Sequence, residues 1–386
     1  MRNTLTVILT VCVLLPVGVQ GQASLKGEAG TRYAEEGVGF ISVSPLIADE
    51  SVMVGSGPLF KYGEPRYLDL DFMTTASWVV DVDGLATASL RIKSAGARTL
   101  SVFFSSLHLL GDVKLLVCDR NGQQQAVYTA STQFKAKEEL LTQVVAGDEL
   151  VIKCQGNLTE VENSIIHISH LVHGTFDLFG GEKGLRDDDC LVDVACSTGD
   201  GWRDQIRSVV MFLREDGNGC TGVLMNNCSN DYTPYVHIAN HCFAGPPSDP
   251  DNWVFYFNYE KPGCGTGIAP LSQSITGAES IASDYSGDFR LLLLNQSPPA
   301  SYHPYYVGWD NSGDVPMSGA FIGHPLTLEK KIGLFSSVTS ASYPQPGFNK
   351  PVWYADIDEG GIEWGSSGSP MLDQNKRMIG HVMDGG

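Results

Sequence analysis

From Ala23 to Leu178 the chain carries short apolar runs separated by turns, with no helical periodicity. Thr99–Phe104, Val113–Cys118, Glu149–Lys153 and Ser164–Leu171 read as strands, and Asn121-Gly122 and Gly147-Asp148 as turns. Short strands at regular spacing predict a β-sandwich here. Residues 180–189 (GGEKGLRDDD) break the pattern with glycine and charge, which places a domain boundary there. Beyond it, Arg207–Leu213, Thr221–Met225, Tyr235–Ala239, Trp253–Tyr259, Asp288–Leu294 and Met378–Val382 are again short apolar segments between Gly and Pro turns. This second region also reads as all-β, and no internal repeat is visible.

The 386 residues suffice for two domains with separate cores. Apolar residues make up 42% and charged residues 18%, the balance of a globular chain and not a disordered one. A formal net charge of −19 argues against nucleic acid as a partner, because a binder must offer a basic face to the phosphates. The N-terminus changes the picture more. Arg2, the apolar stretch Leu5–Val19 and the small residues Gly21 and Ala23 have the layout of an export signal over residues 1–22. A membrane anchor is the other reading, although the stretch falls short of the roughly 20 apolar residues of a span. Cys12 lacks a lipidation context. A secreted protein with no membrane span after signal cleavage is expected.

Export favours disulfides over zinc thiolates, and no paired CxxC spacing is present. Cys118 and Cys154 are the only cysteines of the first region, so they are expected to pair. The run Asp187–Asp189 is read as part of a solvated linker and not as a calcium site, which would need about 6–8 converging oxygens.

Three short motifs carry the candidate chemistry. Gly365-Ser-Ser-Gly-Ser-Pro370 has glycines flanking a serine, as a sharp turn that exposes a nucleophile and aims backbone N–H groups at an oxyanion requires. Alone it reads equally well as an ordinary flexible turn. Ala239-Asn-His-Cys242 sets a histidine beside a half-cystine, and Gly287-Asp288-Phe289 sets an aspartate at the mouth of an apolar strand. An oriented base and a carboxylate that fixes its tautomer need these types. The order His241, Asp288, Ser367 is that of the chymotrypsin-type triad, and differs from the subtilisin and α/β-hydrolase orders. His237 and His241 are spaced i, i+4, but Ile238 stands where a zincin needs Glu, so no metal is expected. His303, His324 and His381 read as structural histidines, and the Trp253–Tyr259 aromatics as core.

Together with Cys190-Leu-Val-Asp-Val-Ala-Cys196, Gly201-Trp-Arg-Asp-Gln-Ile-Arg-Ser-Val-Val, Cys220-Thr-Gly-Val-Leu-Met-Asn-Asn, Phe257-Asn-Tyr-Glu260, Gly308-Trp-Asp310 and His324-Pro325, these motifs resemble a bacterial lysyl endopeptidase of the trypsin-like clan. The resemblance runs from Cys190 to the end, and the upstream sandwich more loosely resembles the pro-regions of such proteases. It implies a trypsin-like double β-barrel over residues 190–386, a pro-region over 23–179 and a processing hinge over 180–189 containing Lys183 and Arg186. It implies His241 as base, Asp288 as its orienter, Ser367 as nucleophile, and the N–H groups of Gly365 and Ser367 as oxyanion hole. It also implies the pairs Cys220–Cys242 and Cys196–Cys264, and a partner for Cys190 shortly beyond Gly386. Cys228 would pair with Cys190 or with another cysteine outside the chain. Barrel-closing strands should follow the nucleophile, yet only Pro370–Gly386 do, so a C-terminally truncated fragment is expected. Ser366 stands where trypsin-like enzymes carry the Asp that receives the new N-terminus, which puts that activation switch in doubt.

The expectation is a secreted, monomeric serine endopeptidase acting on protein or peptide substrates through an acyl-enzyme, without cofactor. Trypsin places its acid six residues before the nucleophile; Gly361 is there, and lysyl endopeptidases carry theirs downstream, so lysine is the expected residue before the cut. The rivals are a trypsin-clan protease of other specificity and an inert secreted binding or adhesion protein.

Overall fold

The computed structural model of the chain describes residues 38–43, 59–132, 138–180, 190–245, 248–345 and 348–383. The expected signal segment, and Lys183 and Arg186 of the hinge, lie outside the described residues. Four sheets account for nearly all regular structure, as the all-β reading predicts. Among the described residues no helix is long and apolar enough to cross a membrane.

Two sheets belong to the first region. In one, Gly39–Val43, Leu85–Ser94, Glu149–Asn157, Lys114–Asp119 and Gln124–Thr129 lie in that order. In the other, Val145–Ala146, Thr99–His108, Ile165–Gly174 and Gly63–Asp71 do. Leu85–Ser94 alternates strictly between buried and half-exposed positions, the signature of a strand with one face on a core. Ala88, Leu90 and Ile92 of that face meet Leu100, Val102 and Ile168 of the other sheet in one shared core.

The expected Cys118–Cys154 disulfide is not formed: both are buried free thiols. Cys118 pairs with Val151, and Cys154 pairs with Leu115, on adjacent antiparallel strands. Three positions of offset put the side chains on opposite faces, about 10 Å apart along the strands, beyond the reach of a disulfide. Cys154 points into the shared core, where burial pushes its thiol up to about 12. Cys190 and Cys228 are exposed and do not pair with each other.

In the second region an eight-stranded sheet curls into a half-barrel, and a six-stranded sheet follows it. The first contains Val254–Phe257, Val209–Leu213, Asn218–Met225, Tyr235–Ala239 and Phe289–Leu294 as neighbours. The second runs Val192–Asp193, Lys331–Gln345, Gly319–Gly323, Pro370–Asp373, Met378–His381, with Phe348–Glu359 on the far side of Lys331–Gln345. Every residue of Val209–Leu213 and Val254–Phe257 is buried, because each strand is covered on both faces. Val210, Phe212, Phe255 and Phe257 face the inner core with Ile238 and Trp253. Met211, Leu213, Val254 and Tyr256 face outward, onto Tyr62, Phe103, Leu141 and Val172 of the first region. The first region is thus the cover of the half-barrel's outer face.

Its seat is the turn after Val209–Leu213. Gly217 O accepts from the N–H of Tyr62 (2.8 Å) and of Gly63 (3.2 Å), and Phe60–Lys61 pairs with Asn218 and Gly219. His170 Nε2 lies 2.9 Å from Glu215 O. Farther along, Val144 N–H donates to Tyr256 Oη (3.0 Å), and Tyr259 donates to Leu178 O (2.6 Å).

Candidate active site

Strand Tyr235–Ala239 runs into a single tight turn, Asn240–Phe243, that carries His241. Three devices hold this turn. The Cys220–Cys242 disulfide ties it to the neighbouring strand. The fully buried Arg214 donates from Nη1 to Cys242 O (2.6 Å) and Ala244 O (2.9 Å). Its Nη2 is neutralised by Asp216 at 2.6 Å, and the guanidinium lies over the Trp253 ring. Arg290 donates to Asn240 Oδ1 and stacks on Phe243. Both terminal nitrogens of this buried charge are hydrogen-bonded, while its Nε has no partner among the described residues, and the paired guanidinium end acts as a clamp on the turn.

Asp288 closes the loop that enters Phe289–Leu294, in a left-handed conformation (φ 54°), with its carbonyl accepting from Asn240 N–H at 2.7 Å. Its carboxylate grips His241 twice: Oδ1 accepts from the backbone N–H (2.9 Å) and Oδ2 from Nδ1 (2.8 Å). Burial pushes the Asp288 pKa up, but the hydrogen bonds from His241 and the neighbouring His381 imidazole outweigh it and hold the carboxyl far below its ordinary value. With Nδ1 carrying the proton, Nε2 of His241 is the bare acceptor, and it is buried with no hydrogen-bond partner among the described residues.

The turn 365–368 distinguishes its serines. Ser366 is buried and its Oγ accepts from Glu363 N–H at 3.3 Å, a bond internal to the loop. Ser369 is fully buried. Only Ser367 is half-exposed. Gly365 (φ 91°) and Gly368 (φ 88°) are both left-handed, and a Cβ on Gly368 would lie 2.2 Å from Thr221 O, so the turn requires glycine. Ser366 N–H donates to Glu363 O and Gly368 N–H to Val382 O, each at 2.9 Å. The intervening N–H groups of Gly365 and Ser367 donate to nothing within the described residues.

Ser367 reaches His241 through the strand between them. Thr221 N–H donates to Ser367 O (3.0 Å), and Cys242 Sγ lies 3.7 Å from the same oxygen. The backbone of Ser367 thus lies beside Cys242, the neighbour of the Asp288-bound His241, 126 positions away in the chain (367 − 241), while His241 Nε2 makes no hydrogen bond among the described residues. Cys196–Cys264 forms the second disulfide.

Of the histidines read as structural, His324 fits that reading and the others stand elsewhere. His303 is exposed, and His324 is buried, with Nδ1 2.9 Å from Leu328 O. His381 is no bystander: it stands beside Asp288, with His237 behind it. Arg214 was not legible as a site residue, since an arginine ending an apolar strand has no local signature. Beside His381 opens a cavity of about 920 Å³, lined among others by Gly287, Trp353, Tyr354, Met371 and Ile379.

The model of the lysyl endopeptidase C-terminal domain matches residues 186–386. Among solved structures, the inactive form of Rv3671c from M. tuberculosis H37Rv, as a serine-to-alanine mutant, is 20% identical, covering 46% of this chain and 75% of that one at a TM-score of 0.32. Rv3671c protease in its inactive form is 19% identical (50% and 84% covered, TM-score 0.34), and Deg5 is 17% identical (48% and 82%, TM-score 0.34). Similarities at that level add nothing to the argument. The family match extends over more than half of the chain and includes every residue of the site just described, and on it the chain belongs to the lysyl endopeptidase family of serine proteases.

Proposed function

We propose that the chain is a secreted serine endopeptidase that cleaves after lysine, with Ser367 as nucleophile, His241 as general base and Asp288 as orienter. The observation that carries this reading is complementary: His241 has one nitrogen locked to Asp288 and the other free, while two alternate amides of the serine turn are free as well. The free Nε2 takes the Ser367 proton as Oγ attacks the scissile carbonyl, and returns it to the leaving amine. Gly365 N–H and Ser367 N–H meet the negative charge that develops on the carbonyl oxygen. Water then releases the acyl group by the same route in reverse.

Residues 23–179 act as a pro-region, 180–189 as the site of its removal, and 190–386 as the protease domain with the double-barrel plan. The hydrogen bonds of Tyr62 and Gly63 to Gly217 support this division: the described residues of the first region pack on the outside of the half-barrel. Two disulfides suit an oxidising, extracellular setting. Ser366, bonded within its own loop, offers no carboxylate for a new N-terminus, so removal of the pro-region acts otherwise than by building that ion pair. The lysine preference rests on family membership and on the neutral Gly361. Profiling on a peptide library tests the reading: hydrolysis confined to bonds after lysine is expected. Cleavage after aromatic or small residues would reject the specificity, and no hydrolysis at all would reject the enzyme.

A further inference from the structure

Two imidazoles stand behind Asp288, and the triad chemistry does not use them. His381 ends the strand Met378–His381, and His237 lies on Tyr235–Ala239, one helical-length step before His241 but pointing elsewhere. Their facing nitrogens, His237 Nε2 and His381 Nδ1, are 3.1 Å apart, so one must donate and the other accept. The opposite nitrogen of His381, Nε2, is buried, has no hydrogen-bond partner, and faces Asp288 Oδ2 at 3.9 Å. That separation is longer than a hydrogen bond, yet among the described residues no other charged oxygen is paired with this nitrogen.

The tautomers follow from the carboxylate. A lone pair on His381 Nε2 would face a negative oxygen, so the proton belongs on Nε2. Nδ1 is then the acceptor, and His237 supplies the Nε2–H. Burial, followed by the neighbouring His381, pushes the His237 pKa down to about 3, which keeps His237 a neutral imidazole able to fill that role. The order reads His237 to His381 to Asp288 from one side, and His241 to Asp288 from the other. Asp288 Oδ2 already holds His241 Nδ1 and retains a lone pair for a second donor.

We propose that His381, with its tautomer set by His237, is a positioning residue that donates from Nε2 to Asp288 Oδ2 and so limits how strongly Asp288 holds the imidazolium of His241. This rests on the proposed triad and adds a member that acts through Asp288 without touching substrate. The titratable groups around His381 are Asp288, His241, His237 and, lining the same cavity, Asp356, Tyr343 and Tyr354; among the described residues no Lys or Arg lines that cavity. A second donor shares the carboxylate's charge. Removing it leaves Asp288 more basic, stabilises the His241 imidazolium, and moves the pH at which His241 becomes a free base upward.

The test is the pH profile of kcat/KM for the complete enzyme carrying His381→Leu, His381→Gln or His237→Phe. With His381→Leu the acidic limb should move up by roughly half a pH unit to one unit, and kcat should fall about tenfold with KM little changed. With His381→Gln, whose amide can donate to the same oxygen, the limb should stay near its wild-type position. Should the leucine variant fail to fold, His237→Phe, which strips the proton facing His381 Nδ1, should move the limb in the same direction. An acidic limb that none of the folded variants moves overturns the proposal, as does a shift as large for glutamine as for leucine. Turnover that persists in Ser367→Ala would instead contradict the triad itself, a distinguishable result read from a different protein.

Discussion

The two sheets that meet at the site are finished to different degrees. The half-barrel bearing His241 has both faces of its central strands covered, one by its own core and the other by the first region. Its catalytic turn is held by a disulfide, a buried arginine and a second arginine stacked on Phe243. The sheet bearing Ser367 is different. Its long pair Lys331–Gln345 and Phe348–Glu359 leaves Trp353 and Ile357 only partly buried, beside an open cavity of about 920 Å³. The contrast teaches where rigidity matters. A general base must keep one orientation through both halves of the reaction, and a clamp of buried charges provides this. On the proposed mechanism, the open side beside His381 is where space rather than rigidity is provided.

The largest expected effect lies at the serine turn, where the three serines can be separated. Ser367→Ala should lower kcat by about 10⁶-fold, the scale on which loss of a triad nucleophile acts, and leave the melting temperature close to wild type. Ser369→Ala, a buried hydroxyl, should alter stability more than chemistry. The reverse pattern in the two kinetic assays would mean that the nucleophile has been misplaced.

The clamp comes next. Arg214→Leu strands Asp216 and two carbonyls that the guanidinium now satisfies. Removing one partner of a buried pair costs about 3–5 kcal/mol, so a lower urea midpoint and a loss of turnover should appear together. An Arg214→Leu protein of wild-type stability would show that the half-barrel does not depend on this contact.

Acid sensitivity is a finer probe of the same region. Burial, with His381 as the next cause, holds His237 at about 3 when folded, against an ordinary value near 6.5. Because the folded value is the lower one, the unfolded chain takes up the proton first. Stability contributed by neutral His237 is complete above about pH 6.5 and is lost as pH falls toward 3, by up to about 1.4 kcal/mol per pH unit. His237→Phe should therefore flatten the decline of melting temperature between roughly pH 6 and pH 4. An unchanged slope would assign the acid lability elsewhere, with the buried His324, also pushed down to about 3 by burial, as the first candidate.

The smallest effect is expected in the first region. Since Cys118 and Cys154 occupy opposite faces of their sheet, Cys118→Ala should leave the unfolding midpoint without reductant close to that of wild type. A drop of about 2–5 kcal/mol, the usual cost of losing a disulfide, would show that the two do pair in solution.

These cysteines also show what the sequence could and could not reveal. Their compartment and number pointed to a bond; their register forbids it, and register is a property of strand pairing that no local spacing reports. Strand positions were legible, Tyr235–Ala239 to the residue, because apolar runs between turn residues are local signals. The all-apolar Val209–Leu213 announces burial on both faces, but not that Tyr62 and Phe103 supply the second cover. His241, Asp288 and Ser367 were legible as candidates because each sits in a short motif whose neighbours do local work: a half-cystine, a strand entrance, two glycines. Arg214 and His381 have no such neighbours. Their roles arise from partners 28 residues away, at Cys242, and 144 away, at His237, that only the folded sheets bring close.

The central claim is that His241 and Asp288 activate Ser367 and no other serine. Its most direct measurement is mass mapping of the adduct formed with a fluorophosphonate, a reagent that captures an activated serine hydroxyl. The complete enzyme should carry a single adduct on Ser367, and His241→Ala should abolish it. Modification at Ser366 or Ser369, or labelling of Ser367 that survives loss of His241, would contradict the account.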